Sequence, residues 1–174
     1  MSLPAPPTRL DVEFALAVLQ TVPDPEVPVI SVVELGIIRA VRVAPAAQSG
    51  GTRATVDVSP TYSGCPAIEA INVNVIAALR EAGFAEVAVN SVIDPPWTTD
   101  DISAAGREKL LAYGIAPPNG SASKASLTGD DRPRACPLCG STDTEMLSQF
   151  GSTSCKALYR CRSCREPFDY FKCH

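Results

Sequence analysis

The sequence predicts an α+β fold: a small mixed sheet with helices packed on it, followed by a flexible linker and a small β module. Three observations carry this. Apolar residues recur at both strand and helix spacing through the first two thirds of the chain. A stretch of small and turn-forming residues then breaks both patterns. Beyond it lie two Cys-x-x-Cys pairs, the signature of a zinc ribbon. The 174 residues suffice for one ordinary domain plus a small one, and 45% hydrophobic with 20% charged residues excludes a wholly disordered chain. No apolar run approaches the ~20 residues needed to span a bilayer. The segment Met1–Phe14 lacks the basic and apolar regions of a secretion signal, which predicts a cytoplasmic protein. In a reducing compartment seven cysteines point to metal or redox chemistry rather than a disulfide framework. Fifteen Lys and Arg against nineteen Asp and Glu, a net charge of −4, weigh against nucleic acid or an anionic membrane as the main partner.

The elements follow in order. Thr8 with Asp11 predicts a helix N-cap and its supporting acid, and Leu10, Phe14, Ala17 and Val18 then fall at helical spacing. Pro23 ends that helix, and Asp24-Pro-Glu-Val-Pro28 is too proline-rich for regular structure. Ile37–Val43 and Thr52–Val58 read as a hairpin closed by the loop at 48–51, with Ala54, Val56 and Val58 on one face. Pro66 suits the first position of a second helix whose buried stripe is Ile68, Ile71, Val75 and Leu79, and Gly83 stops it. Ala85–Ile93 is a third strand. Thr98 or Thr99 caps a third helix, with Asp100 and Asp101 on its positive end and Gly114 just past it.

The predicted domains are therefore residues 1–116 and 135–174, joined by a linker over 117–134. Residues 1–120 carry 7 basic and 13 acidic side chains, residues 121–174 carry 8 and 6, and six of the seven cysteines lie in the second part. At this size the second module cannot build a sufficient core of its own, so a metal must supply the missing stability. Cys136-Pro-Leu-Cys139 and Cys161-Arg-Ser-Cys164 form two knuckles that can close one tetrahedral thiolate shell. Gly140 permits the left-handed turn that aims amides at sulfur, and residues 145–150 and 157–160 supply hairpin strands. Zinc is favoured over an iron–sulfur cluster because paired knuckles around strand material suit a structural ion. Cys155, Cys173 and His174 are left over. They could form a second metal site or a redox pair, or be a buried thiol and an exposed tail. Tyr159, Phe168, Tyr170 and Phe171 are expected to cover the ribbon's own core.

Cys65 stands apart in Thr61-Tyr-Ser-Gly-Cys-Pro66, at the start of the second helix, where unpaired amides favour thiolate over thiol. Asp24 and Glu26 sit on a rigid loop. If that loop folds over the Cys65 turn, one sulfur and one or two carboxylates converge on a shallow, reachable site; taken singly, Asp24 is a turn former and Cys65 a small hydrophobe.

The segment from Asp24 to Ile38 together with Thr61–Pro66 resembles the metal–sulfur cluster assembly domain of SufT-like bacterial proteins and of a cytosolic iron–sulfur targeting factor. With Phe150–Cys161 and Glu166–Cys173 added, the whole chain resembles the PaaD (PaaJ-type) family of accessory subunits of the bacterial phenylacetyl-CoA epoxidase system, also called phenylacetate-CoA oxygenase. The resemblance implies a non-catalytic role in aerobic phenylacetate degradation: maturing the iron or iron–sulfur centres of a multicomponent enzyme. Its partners would be the di-iron oxygenase or the reductase with its [2Fe-2S] cluster. It places the assembly motif on Asp24, Glu26, Thr61 and Cys65, with iron or a cluster held transiently. It places structural zinc on Cys136, Cys139, Cys161 and Cys164. Cys155 and Cys173 also match the family pattern, without an assigned role.

Two other readings differ in what they need. A zinc-ribbon adaptor for protein or nucleic acid needs no metal transfer, and for nucleic acid it needs more positive charge than the ribbon carries. A Cys65 nucleophile needs a base, but the one histidine of the chain is His174. That count also excludes a resident di-iron oxygenase site, which takes Glu-x-x-His pairs on long helices.

Overall fold

Asp11 opens the first helix: its carboxylate accepts the amide of Phe14 at 2.9 Å and caps α1 (Val12–Leu19), which buries Ala15, Val18 and Leu19. In this computed structural model, residues 10–48, 50–62, 64–118 and 134–172 are described, so Thr8 lies outside them and Asp11 is the cap itself. The proline-rich segment after α1 is irregular, as its composition requires. It buries Val27, Ile30, Val32, Leu35 and Ile37 along a tight series of turns.

Strands β1 (Ile38–Pro45) and β2 (Thr52–Val58) form the expected antiparallel hairpin, with a bulge between Ile38 and Ala40. Its turn uses positive φ at Gly50 and Gly51, and a Cβ on Gly51 would meet Ala85 at 3.2 Å. Helix α2 (Ala67–Glu81) then crosses over, and β3 (Glu86–Ser91) lies parallel to β2. The sheet order is β1-β2-β3. Ala54, Val56 and Val58 are fully buried, as is the Val75–Leu79 stripe of α2. Pro66 sits at the N-cap, one residue ahead of its expected place, and Ala67 replaces the half-buried Ile68 on the buried stripe. The opposite sheet face is polar. Arg42 grips Asp57 with two bonds of 2.7 Å and Asn90 adds a third at 2.9 Å; the Arg42 guanidinium and then Asn90 hold the Asp57 carboxyl below its usual range.

The chain divides into compact units at Trp97/Thr98, earlier than the predicted boundary at 116. The reason is the fate of residues 98–118. Thr98 donates its amide to Asp101 at 2.6 Å and opens a single 3-10 turn (Thr99–Asp101), and Ser103, not a threonine, caps α3 (Ala104–Ala112) through the Gly106 amide at 3.0 Å. After the turn at Gly114, β4 (Ile115–Ala116) joins a second sheet with β5 (Thr144–Ser148), β6 (Lys156–Cys161) and β7 (Pro167–Phe171). Its order is β4-β7-β6-β5, antiparallel except for the β4–β7 pair. The segment predicted to finish the first domain therefore adds a strand to the ribbon. Most of the expected linker, 119–133, lies outside the described residues. On one face of this sheet Ala116, Ala157, Phe168 and Tyr170 cluster with Cys136 and Cys161, and Tyr159 and Cys164 pack against them.

Leu79 is fully buried and Val73 on the same helix is 65% exposed. Leu79→Ala should cost the first unit about 2–5 kcal/mol and Val73→Ala less than about 0.5 kcal/mol, measured by urea denaturation.

Candidate functional site

The two Cys-x-x-Cys segments make matching turns. In each, the residue after the second cysteine takes a left-handed conformation: Gly140 at φ +75° and Arg165 at φ +68°. The Gly140 amide returns to the Cys136 carbonyl at 2.8 Å, and the Cys136 amide donates to the Ser141 carbonyl at 2.9 Å. The hydroxyls of Ser141 and Ser163 join the two turns at 2.7 Å. The result gathers the four sulfur atoms of Cys136, Cys139, Cys161 and Cys164 within 4.8 Å of one another.

Two sulfur pairs are closer, Cys136–Cys164 at 3.8 Å and Cys139–Cys161 at 3.5 Å. These are far beyond a disulfide of about 2.05 Å. They match the edge of a tetrahedron whose centre lies about 2.3 Å from each sulfur, roughly 3.8 Å. The donor set and its spacing thus fit zinc, which would supply charge and hold the two turns together. The thiols show why a cation belongs here. The Cys164 amide, 3.5 Å from the Cys161 sulfur, holds that thiol down to about 6. Cys164 has help from the Glu166 amide, yet burial and the three neighbouring cysteines push it up to about 12. Cys139 also rises: the Ser141 amide pulls it down, and the Cys161 sulfur, burial and the Cys136 sulfur together outweigh that pull. One thiolate forms readily; further negative charge beside it is opposed until a dication arrives.

The assembly-motif residues are arranged differently. Asp24 is buried, and one carboxylate oxygen accepts the amides of Glu26 and Val27, both at 2.8 Å, so the turn-forming reading of Asp24 holds. Glu26 is half-buried, and so is Thr61, at the end of the β2–α2 connection. Cys65 is only 9% exposed, a correction to the expectation of an open thiol: its amide bonds the Tyr62 carbonyl at 3.3 Å and its carbonyl accepts from Ile68, tying it into the first turn of α2. Gly64 beside it is exposed, at φ +82°, with open space where a Cβ would stand. Among the described residues only the four ribbon cysteines form a converging group of three or more His, Cys, Asp or Glu ligand atoms. Cys155 is buried outside that group, 3.1 Å from the Thr153 hydroxyl. Cys173 and His174 lie outside the described residues.

Sequence reasoning passed over three residues that shape the 24–37 loop. Ser31 and Glu34, both buried, bond reciprocally: the Ser31 amide donates to Glu34 at 2.9 Å and the Glu34 amide to the Ser31 hydroxyl at 3.1 Å. Their Ser-x-x-Glu spacing is the capping-box signal, here without a helix behind it. Trp97 is buried and its indole donates to the Leu35 carbonyl at 2.8 Å, which ties the end of the first unit to this loop.

Known proteins share both parts. Residues 13–95 match the family model of an iron–sulfur cluster assembly protein, and residues 120–172 that of the PaaD zinc beta ribbon domain. Over 161 residues, 90% of each chain, the sequence is 48% identical to a protein of Escherichia coli (strain K12) that is named as a candidate component of 1,2-phenylacetyl-CoA epoxidase. The chain belongs to the PaaD family. Two solved structures resemble it less closely. One is the DUF59 domain from Bacillus anthracis (27% identity, 56% of this chain and 89% of that one, TM-score 0.48). The other is Rv1466 from Mycobacterium tuberculosis, described as associated with Fe-S complex assembly and repair (30% identity, 64% and 97%, TM-score 0.37). In this PaaD-family chain the loop at 24–37 and Cys65 fall inside the assembly-family match, and the four clustered cysteines inside the ribbon match.

Two outcomes are expected of the metal centre. Metal should be held at neutral pH and released on acidification, because protons compete for thiolates; chelator-coupled absorbance across a pH series reads this. Arg165→Gly removes a left-handed side chain at an exposed site and should stabilise the loaded ribbon by up to about 1 kcal/mol, whereas Gly140→Ala should destabilise it, read by thermal melting.

Proposed function

We propose that this chain is an accessory protein of the phenylacetyl-CoA epoxidase system that matures its metal centres and catalyses no step itself. The observation that carries the reading is the pairing, in one chain, of an assembly-family domain with a ribbon of the PaaD type, at 48% identity to a protein named for that epoxidase. Zinc on Cys136, Cys139, Cys161 and Cys164 is structural in this reading. Its closed shell retains the ion, and a delivery site must let its cargo go. Delivery falls to Cys65 with Asp24, Glu26 and Thr61, through one sulfur and weaker oxygen ligands that exchange readily. Iron or a cluster is the cargo, and the reductase or the di-iron oxygenase is the client. Cys65 is 9% exposed, so loading requires the residues around it to part. The work takes place in the cytoplasm; no helix among the described residues is long and apolar enough to cross a membrane.

A second reading has its own observation. Leu138, Met146, Leu147 and Phe150 of the ribbon are each about half exposed, which suits an adaptor that binds protein without passing metal.

The two separate on one variant. Cys65→Ser should keep the fold and the ribbon zinc while the co-produced epoxidase loses iron and sulfide, measured by metal analysis of the purified client. Full metallation of the client by Cys65→Ser, with client binding lost in Met146→Asp, would leave the adaptor.

A further inference from the structure

We infer that residues 98–118 form a metal-gated strap, held on the ribbon while the four-cysteine site is loaded and released when it is emptied. This goes beyond the maturation role and does not depend on it. The strap's contacts are specific. Ile115 and Ala116 pair in parallel with Asp169 and Tyr170 of β7, covering part of an edge that would otherwise be open. Ala116 is 3% exposed and belongs to the same apolar cluster as Cys136 and Cys161, two of the four thiol ligands, with Cys164 packed against it. Arg107 closes the strap on itself, donating to the Pro118 carbonyl at 2.8 Å and to the Thr99 carbonyl.

None of these parts is stable alone. A nine-residue helix is below the length at which isolated helices persist in water, and a two-residue bridge fixes little. Ala116 is the strap's member of the cluster, and β4 is ordered where it rests on it. That cluster contains two of the metal ligands, with a third packed against it, so the ion fixes the surface on which Ala116 rests. Loss of metal therefore removes the floor beneath Ala116, and β4 leaves β7. Linkage runs both ways: a docked strap tightens metal binding by the factor with which metal tightens the strap. Emptying the site uncovers the β7 edge, so ribbon occupancy becomes a change that a partner strand can read.

The test uses the full chain with zinc as the probe, under reducing conditions. Hydrogen exchange of residues 104–116 and tryptic cleavage after Arg107 and Lys109 should be slow in the zinc form. Both should accelerate by about tenfold or more on chelation and return when zinc is restored, with α2 and β2 unchanged as the internal control. Ala116→Glu, which puts a charge into the cluster, should cleave rapidly even with zinc added. Protection of 104–116 that ignores chelation overturns the proposal. So does slow cleavage in Ala116→Glu, or equal acceleration across α2 and β2 or across β5 and β6, which is unfolding rather than release of a strap.

Discussion

Four sulfurs held within 4.8 Å set the terms for the second half of the chain. Without a cation their charges oppose one another: one thiol is held down to about 6 by the amide aimed at it, while burial and the neighbouring sulfurs push Cys164 up to about 12. A dication reverses the sign of that interaction and turns a repulsive cluster into the centre of the fold. The backbone is already bent for it. The paired left-handed residues Gly140 and Arg165 and the Ser141–Ser163 bridge bring two distant turns into register. The apolar cluster around Cys136 and Cys161 then has something rigid to pack on.

The first unit rests on ordinary burial instead. Its sheet is closed on one face by fully buried aliphatic residues of β2 and α2, and the other face is finished by the Arg42–Asp57–Asn90 group. The loop at 24–37 is held by polar side chains. Asp24 takes two amides, Ser31 and Glu34 exchange bonds, and Trp97 reaches back to Leu35. Buried carboxylates spent on backbone amides give the loop a fixed shape at low cost, because each charge is met by donors that would otherwise be orphaned.

Much of this was legible in the sequence, for definite reasons. The hairpin, α2 and β3 follow from period-2 and period-3.6 patterns, and the cysteine spacing alone defines the four-thiol group, since a knuckle is local geometry. What escaped depends on the fold. Residues 98–113 have good helix signals and nothing local to say which sheet they serve; Ile115 and Ala116 become a strand only because β7 offers an edge. Arg165 hides its left-handed turn because an arginine carries no signal for φ +68°, and only its likeness to Gly140 in the opposite knuckle explains it. Cys65 reads from sequence either as a reachable thiol or as a small hydrophobe; its 9% exposure follows the second, a choice that depends on tertiary packing and not on spacing.

Holding a metal and giving one away make opposite demands, and on the proposed role this chain meets both by separating them. A closed tetrahedral shell of four thiolates keeps its ion because every position is filled and no incoming donor can begin an exchange. On the proposed role, a single sulfur with weaker oxygen ligands leaves positions for an incoming ligand, so exchange can start before the old bonds have broken. A permanently exposed low-coordinate thiol would react with any oxidant or stray metal, whereas a buried one is reached only when its surroundings part. On the proposed role, selectivity for the client then resides in what parts them, and the sulfur itself need not discriminate.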